Sequence, residues 1–189
     1  MTFSALLLAG GESRRMRRDK ATMEFHGRPL WERQLELLRA LAPEKIFVSA
    51  RAKPAWLPDD VALLLDDPPS RGPLSGLTKA LAGIGTTHLI VLAVDMPFMT
   101  GDEVRRLLEL AIEGRGVVPT IGDRAEPLAA VYPAEAAADF NEALAGSEFS
   151  LQSVVRKLAG VGKIKLKSVA DAEANLYRSV NEPSPEFDA

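Results

Sequence analysis

Residues 3–9, Phe-Ser-Ala-Leu-Leu-Leu-Ala, are apolar at almost every position and end in Gly10-Gly11. A strand of this composition has no face to leave in water. It must lie inside a sheet covered on both sides, the setting of parallel strands in layered α/β proteins. The two glycines are followed by Glu12-Ser13-Arg14-Arg15-Met16-Arg17-Arg18-Asp19-Lys20. Residues 11–20 therefore hold five cations against two acids, a local +3 in a chain of net charge −3. A buried strand that ends in flexible backbone and clustered cations suits a small anionic ligand; a nucleic-acid surface would call for a basic chain overall.

The rest of the chain alternates apolar runs with amphipathic segments. Strands are expected at residues 45–50, 61–65, 88–94, 116–120 and 128–132. A helix over 29–41 would carry Leu30, Trp31, Leu35, Leu38 and Leu41 on one face, with Pro29 at its first position. A second helix, over 74–84, is ended by Gly83 and Gly85. A third opens on Thr100-Gly101-Asp102-Glu103, a capping-box pattern, and runs to about residue 113. Further helices are expected over 134–145 and 150–158, the latter capped by Ser150. Residues 163–167 alternate as an edge strand with lysines suited to that position. Residues 182–189 form a polar surface end. The pattern predicts an α/β layered fold with a mostly parallel sheet, and residues 1–189 are read as one domain.

Composition narrows the function. Apolar residues make up 47% of the 189, enough for a substantial core. With no cysteine, thiolate metal sites, cysteine nucleophiles and disulfides are excluded. Two histidines, His26 and His88, do not make a multi-histidine zinc site, and neither is given a role. The longest apolar runs fall far short of the ~20 residues that span a bilayer. No basic segment precedes the first apolar run, so a soluble cytoplasmic protein is expected.

Ligands of open α/β sheets bind beyond the carboxyl ends of the strands. Those ends fall here at Gly10-Gly11, at Ser49 and Arg51, at Asp66-Asp67, and at Asp95-Met96-Pro97. Gly10-Gly11 alone fits a tight strand-to-helix turn as well as a phosphate cradle; the adjoining cations favour the cradle. The loop is neither Gly-Lys-Ser/Thr nor Gly-x-Gly-x-x-Gly. Arg15 and Lys20 are the cations expected to grip phosphates, Arg bidentately and Lys as a mobile point charge. Arg14, Arg17 and Arg18 fit either that role or a solvated basic face. Asp95 ends the most apolar strand, where a carboxylate needs a partner: a hard cation such as Mg²⁺, or a turn before Pro97. Asp66 or Asp67 fits as an acceptor for a base or ribose, or as a solvated acid in a proline-rich connection.

These residues resemble the molybdenum cofactor guanylyltransferases, within the nucleotidyltransferase superfamily. Leu8-Ala9-Gly10-Gly11 with Arg15-Met16 and Asp19-Lys20 is similar to the family's signature loop. The likeness continues through His26-Gly27-Arg28-Pro29-Leu30-Trp31, Asp66 with Gly72-Pro73-Leu74-Ser75-Gly76, Asp95-Met96-Pro97, and Glu126-Pro127-Leu128 with Val131-Tyr132-Pro133, to Val180-Asn181-Glu182-Pro183. It implies a three-layer Rossmann-like, GT-A-type fold, with helices on both faces of a mostly parallel central sheet. It also implies transfer of GMP from GTP to the terminal phosphate of molybdopterin or Mo-molybdopterin, with release of pyrophosphate.

Carried over, the resemblance gives Leu8, Ala9, Gly10 and Gly11 to the nucleotide and Lys20 to its phosphates. Ser49 and Asp66 go to the nucleoside, Asp95 to Mg²⁺ and nucleotide, and Glu126, Pro127 and Asn181 to the acceptor side. Arg15, Lys20 and Asp95 are the expected catalytic set. The implied partners are these substrates and, transiently, other proteins of molybdenum cofactor biosynthesis, with no nucleic acid or membrane. Three departures stand out: Arg17-Arg18 where the family usually has glycine, Ser49 where Asn is frequent, and Glu182 for the usual Thr. Cytidylyl transfer to molybdopterin, nucleotidyl transfer to another small molecule, and a non-catalytic nucleotide-binding module remain open from the residues alone.

Overall fold

The computed structural model describes residues 1–10, 19–67, 69–147 and 149–180. The chain runs through β1 (Phe3–Leu8), a 3₁₀ turn at Lys20–Thr22, a small hairpin of β2 (Glu24–Phe25) and β3 (Arg28–Pro29), and α1 (Leu30–Arg39). Next come β4 (Ile46–Ala50), β5 (Ala62–Leu65), α2 (Pro73–Gly83), β6 (His88–Ala93) and α3 (Gly101–Leu110). There follow β7 (Gly116–Ile121), β8 (Arg124–Ala125), β9 (Ala129–Pro133), α4 (Ala137–Ala145), α5 (Leu151–Gly160) and β10 (Ile164–Ser168), then a 3₁₀ segment, Asp171–Tyr177.

The sheet order is β10-β7-β9-β6-β1-β4-β5, with β8 paired to β7. Strand β9 runs antiparallel to its neighbours β6 and β7, and the other ladders along this order are parallel. Strand β10 lies at one edge, as its alternating lysines predict.

Successive residues of the central strands feed opposite cores. Ala5 and Leu7 of β1, with Ile90 and Leu92 of β6, pack towards Leu30, Leu35 and Leu38 of α1 and Val104 and Leu107 of α3. Leu6 and Leu8, with Leu89 and Val91, pack towards Leu74, Leu77 and Leu81 of α2, Phe140 of α4, and Val154 and Leu158 of α5. The alternation gives three layers, α1 and α3 on one face and α2, α4 and α5 on the other. No helix among the described residues is long and apolar enough to cross a membrane.

Several boundaries differ from the sequence reading. Pro29 is the N-cap of α1 rather than its first residue, and α1 stops at Arg39 because Ala42 turns left-handed, φ +55°, before Pro43. Helix α3 ends at Leu110 because Ile112 pairs back to Arg115. The segment 134–136 is 3₁₀ rather than α. Ser150 stands at the N-cap of α5, but its side chain makes no cap hydrogen bond. The β2–β3 turn places His26 and Gly27 at φ +50° and +70°, the geometry of a tight two-residue hairpin. His88 is buried, with Thr87 and the Ile112 carbonyl at its ring nitrogens.

Only half of the capping box at Thr100 is a cap. Thr100 Oγ1 accepts from Glu103 N at 3.3 Å, but the Glu103 carboxylate turns inward. Its Oε1 accepts from Lys167 Nζ at 2.8 Å and from Tyr177 OH at 2.6 Å. Arg106 Nη1 lies 2.9 Å from Oε2 as an ion pair without hydrogen-bond alignment. Burial first, then the Glu103 carboxylate, hold the Tyr177 phenol well above its usual pKa. This cluster ties α3 and β10 to the 3₁₀ segment that leads back to the site. Removing one partner strands the others, so Glu103→Ala should cost about 3 kcal/mol. Thr100→Ala should cost only about 1 kcal/mol, the usual loss of an N-cap. Urea unfolding of the two variants distinguishes an internal staple from a capping box.

Candidate functional site

Strands β6, β1, β4 and β5 are mutually parallel, so their carboxyl ends lie along one edge. Leu8 sits in register between Ser49 and Ala93. The ladders extend a step further: Ala9 N donates to Ser49 O at 3.0 Å, Val94 N to Leu8 O at 3.0 Å, and Asp66 N to Ala50 O at 3.1 Å. Past these bonds the parallel ladders stop, and Ser49, Asp66 and Asp95 carry polar side chains at this edge.

Two opposite charges meet there. Lys20 Nζ donates to Asp95 Oδ2 at 3.0 Å, with both side chains about four-fifths buried. Each is held by its own set of contacts. Asp19, the N-cap of the 3₁₀ turn, uses Oδ1 to accept from Ala21 N and Oδ2 to accept from Trp56 Nε1, each at 3.0 Å. On the other side, Gln34 Nε2 donates to Met96 O at 2.6 Å and Arg33 Nε to Pro97 O at 2.8 Å. Val180 N donates to Asp95 O at 2.7 Å, which docks the chain's C-terminal segment against the same loop.

A third group gathers at the ends of β4 and β5. Ser49 Oγ donates to Asp66 Oδ1 at 3.3 Å, and Ser70 Oγ to Asp66 Oδ2 at 2.7 Å. Gly72 N donates to Ser70 Oγ, and Gly72 adopts φ +64° as the N-cap of α2. Gly76 lets α2 press on this group. A Cβ there would overlap Ser49 Oγ and stand 2.8 Å from Ser49 Cβ and 3.0 Å from Leu8 Cδ2. Asp67 points elsewhere, pairing with Lys79 Nζ at 2.7 Å.

One cavity reaches Asp19, the neighbour of Lys20, and another reaches Asp95. The first, of about 310 Å³, is lined by Ala9, Gly10, Asp19, Ala50, Arg51 and Trp56, among others. The other, of about 350 Å³, includes Asp95, Met96, Arg124, Glu126, Pro127 and Ser179 in its walls. Burial raises the Glu126 carboxyl above its usual pKa, against the opposing charge of Arg124. A larger hollow of about 420 Å³ lies between α2 and α4, with Asp67 and Pro69 just past β5, Arg71 and Lys79 in its walls.

Residues 5–161 match the model of the MobA-like NTP transferase domain. The chain belongs to the MobA-like NTP transferase family. It is 37% identical over 183 residues to a probable molybdenum cofactor guanylyltransferase of Opitutus terrae, covering 95% of this chain and 90% of that one. It is 38% identical over 152 residues to a molybdenum cofactor guanylyltransferase of Cereibacter sphaeroides, with 78% of each chain covered. Its fold resembles the crystal structure of molybdopterin-guanine dinucleotide biosynthesis protein A from Archaeoglobus fulgidus. That match has a TM-score of 0.72 at 22% identity and covers 95% of this chain and 93% of that one. The three-layer fold expected from the sequence is the fold of this family, and the chain is a nucleotidyltransferase.

For this MobA-like chain the structure divides the expected site residues into separate groups. Ala9 and Gly10 line the first cavity; Lys20 meets Asp95; Ser49 meets Asp66; Glu126 and Pro127 share the second cavity with Asp95. Gly11, Arg15 and Asn181, with Arg14, Arg17, Arg18 and the end segment 182–189, lie outside the described residues. Trp56, Arg33 and Gln34 were not anticipated. Nothing in the sequence around Gln34 (Glu32, Arg33 and Glu36) marks it as a buried anchor, which its place on the inner side of α1 makes it. Gly76→Ala gives a direct check on the Ser49–Asp66 group. In an open helix the change would gain about 1 kcal/mol. Here overpacking should reverse the sign, to a net loss of about 1–2 kcal/mol by urea unfolding. Replacing Ser49 with Gly in the same molecule should recover part of it.

Proposed function

We propose that this protein transfers GMP from GTP to the terminal phosphate of molybdopterin or its molybdenum-loaded form, releasing pyrophosphate. The observation that carries this reading is the Lys20–Asp95 pair at the ends of β1 and β6, with one cavity at the Gly10 loop reaching Asp19 and another at Glu126 reaching Asp95. Donor and acceptor phosphates brought from the two cavities would meet at these charges.

An oxygen of the acceptor's terminal phosphate attacks the α-phosphorus of GTP. A new P–O bond forms there as the bond to the bridging oxygen of the β-phosphate breaks, and pyrophosphate leaves with the electron pair. No covalent enzyme intermediate is needed, so positioning and charge neutralisation dominate. Lys20, Arg15 and the backbone amides of Gly10 and Gly11 stabilise the charge gathering on the departing pyrophosphate. Asp66, held by Ser49 and Ser70, keeps acceptor capacity for the N–H groups of guanine. Glu126, Pro127 and Asn181 take the acceptor side.

The donor set at Asp95 suits Mg²⁺. It is a single carboxylate whose Oδ2 pairs with Lys20 Nζ. Such a site fits a hard cation that completes its shell with phosphate oxygens and water. Bound there, Mg²⁺ would neutralise phosphate charge and help orient the α-phosphate. We read the chain as one domain working in the cytoplasm, meeting other proteins of molybdenum cofactor biosynthesis transiently.

Pyrophosphate release from GTP with molybdopterin as acceptor tests the reading. Asp95→Asn should abolish turnover in a chain that still folds, with some loss of stability because the Lys20 ammonium keeps its burial without a counter-charge; near-normal turnover would remove Asp95 from the metal site. Lys20→Ala should cost about 10²-fold or more in kcat, the scale of one preorganised charge contact. Pyrophosphate release from CTP in place of GTP would redirect the assignment to a cytidylyltransferase.

A further inference from the structure

Helix α1 reaches the Lys20–Asp95 pair from both ends. Arg33 and Gln34 hold the carbonyls of Pro97 and Met96, which fix the loop carrying Asp95. Trp31, on the same helix, stacks on Trp56 with ring centroids 5.1 Å apart and planes 12° from parallel. Trp56 in turn donates its indole N–H to Asp19, the residue next to Lys20. Asp19 thus has both oxygens occupied, one by Trp56 and one by Ala21 N, and Ala21 is fully buried. Lys20 projects from a turn pinned on both sides.

The stack alone would be satisfied by any flat ring. The indole N–H is what singles out tryptophan, because it makes a charge-assisted bond to Asp19, which lines the Gly10 cavity together with Trp56. This bond lies at the surface, where water could replace it at little cost to stability. Its consequence is geometric: it ties the stretch after β4 to the turn after β1, and so sets the direction of Lys20.

We propose that Trp56 is a positioning residue for the transfer reaction, acting through Asp19 to aim the Lys20 ammonium. The inference rests on the guanylyltransferase reading for its kinetic arm only. Lys20 contacts strengthen as charge moves onto the departing pyrophosphate, so a misdirected Lys20 lowers kcat more than it raises KM.

The decisive variant is Trp56→Phe, which keeps the ring and removes the N–H. In pyrophosphate-release kinetics it should lower kcat about tenfold with KM for GTP within about threefold, since small misplacements of a charged contact act on the transition state. In a Lys20→Ala background, Trp56→Phe should cause almost no further loss, because the residue it aims is gone. A second arm needs no substrate: amine labelling of the whole protein, read by mass spectrometry. Lys20 should label at least about threefold faster in Trp56→Phe than in wild type, with Lys79 unchanged, because its turn opens locally. An unchanged Lys20 labelling rate overturns the proposal. So does an unchanged kcat in an otherwise active enzyme, or an equal kcat loss in the Lys20→Ala background. If wild type releases no pyrophosphate from GTP, the transfer reading fails, while the labelling arm still decides whether Trp56 sets Lys20.

Discussion

Strand β1 lies between β6 and β4 with apolar side chains on both faces, and that double burial determines where polar groups can go. Within the strand every backbone N–H and C=O must find a partner in the neighbouring strands, which holds β6, β1 and β4 parallel and in register. Helices must cover both faces. Side chains that interact with water or ligand are left to the strand ends, and parallel strands put those ends together. The site lies where the core's requirements stop.

At that edge the fold places two charges together and holds each from a distance. Lys20 and Asp95 are 75 positions apart in sequence and joined by one bond. Neither is fixed by its own strand. Asp95 is held by α1 through Met96 and Pro97 and by the C-terminal segment through Val180. That segment is itself anchored by Tyr177 on the buried Glu103. Lys20 is held by the turn that Asp19 caps. A helix on one layer and a staple at the far end of the sheet therefore converge on the same two side chains, the preorganisation that the proposed transfer would use.

The long strands were legible because burial on both faces writes itself as an unbroken apolar run, as in residues 3–9 and 88–94. The residues of the strand ends were legible too, since Gly10, Ser49, Asp66 and Asp95 each break such a run. What was not legible follows from length or from topology. Strands β2, β3 and β8 have two residues each, too short to show a period. Glu103 carried a capping signature, and only the return of β10 and Tyr177 from distant sequence turns it inward. The meeting of Lys20 with Asp95 depends on β6 lying beside β1, and the link from Trp31 through Trp56 to Asp19 depends on α1 lying beneath both. Pattern reading gave the parts of the candidate site, and the sheet order gave their pairing.

We propose that Asp95, beside Lys20, binds the nucleotide together with a divalent cation, and that Asp66 favours guanine. Calorimetric titration of the protein with GTP and CTP, with and without Mg²⁺, measures it directly. GTP should bind at least about tenfold more tightly with Mg²⁺ than without, an advantage lost in Asp95→Asn, and CTP should bind more weakly under the same conditions. Equal GTP affinity with and without Mg²⁺, or a preference for CTP, would contradict it.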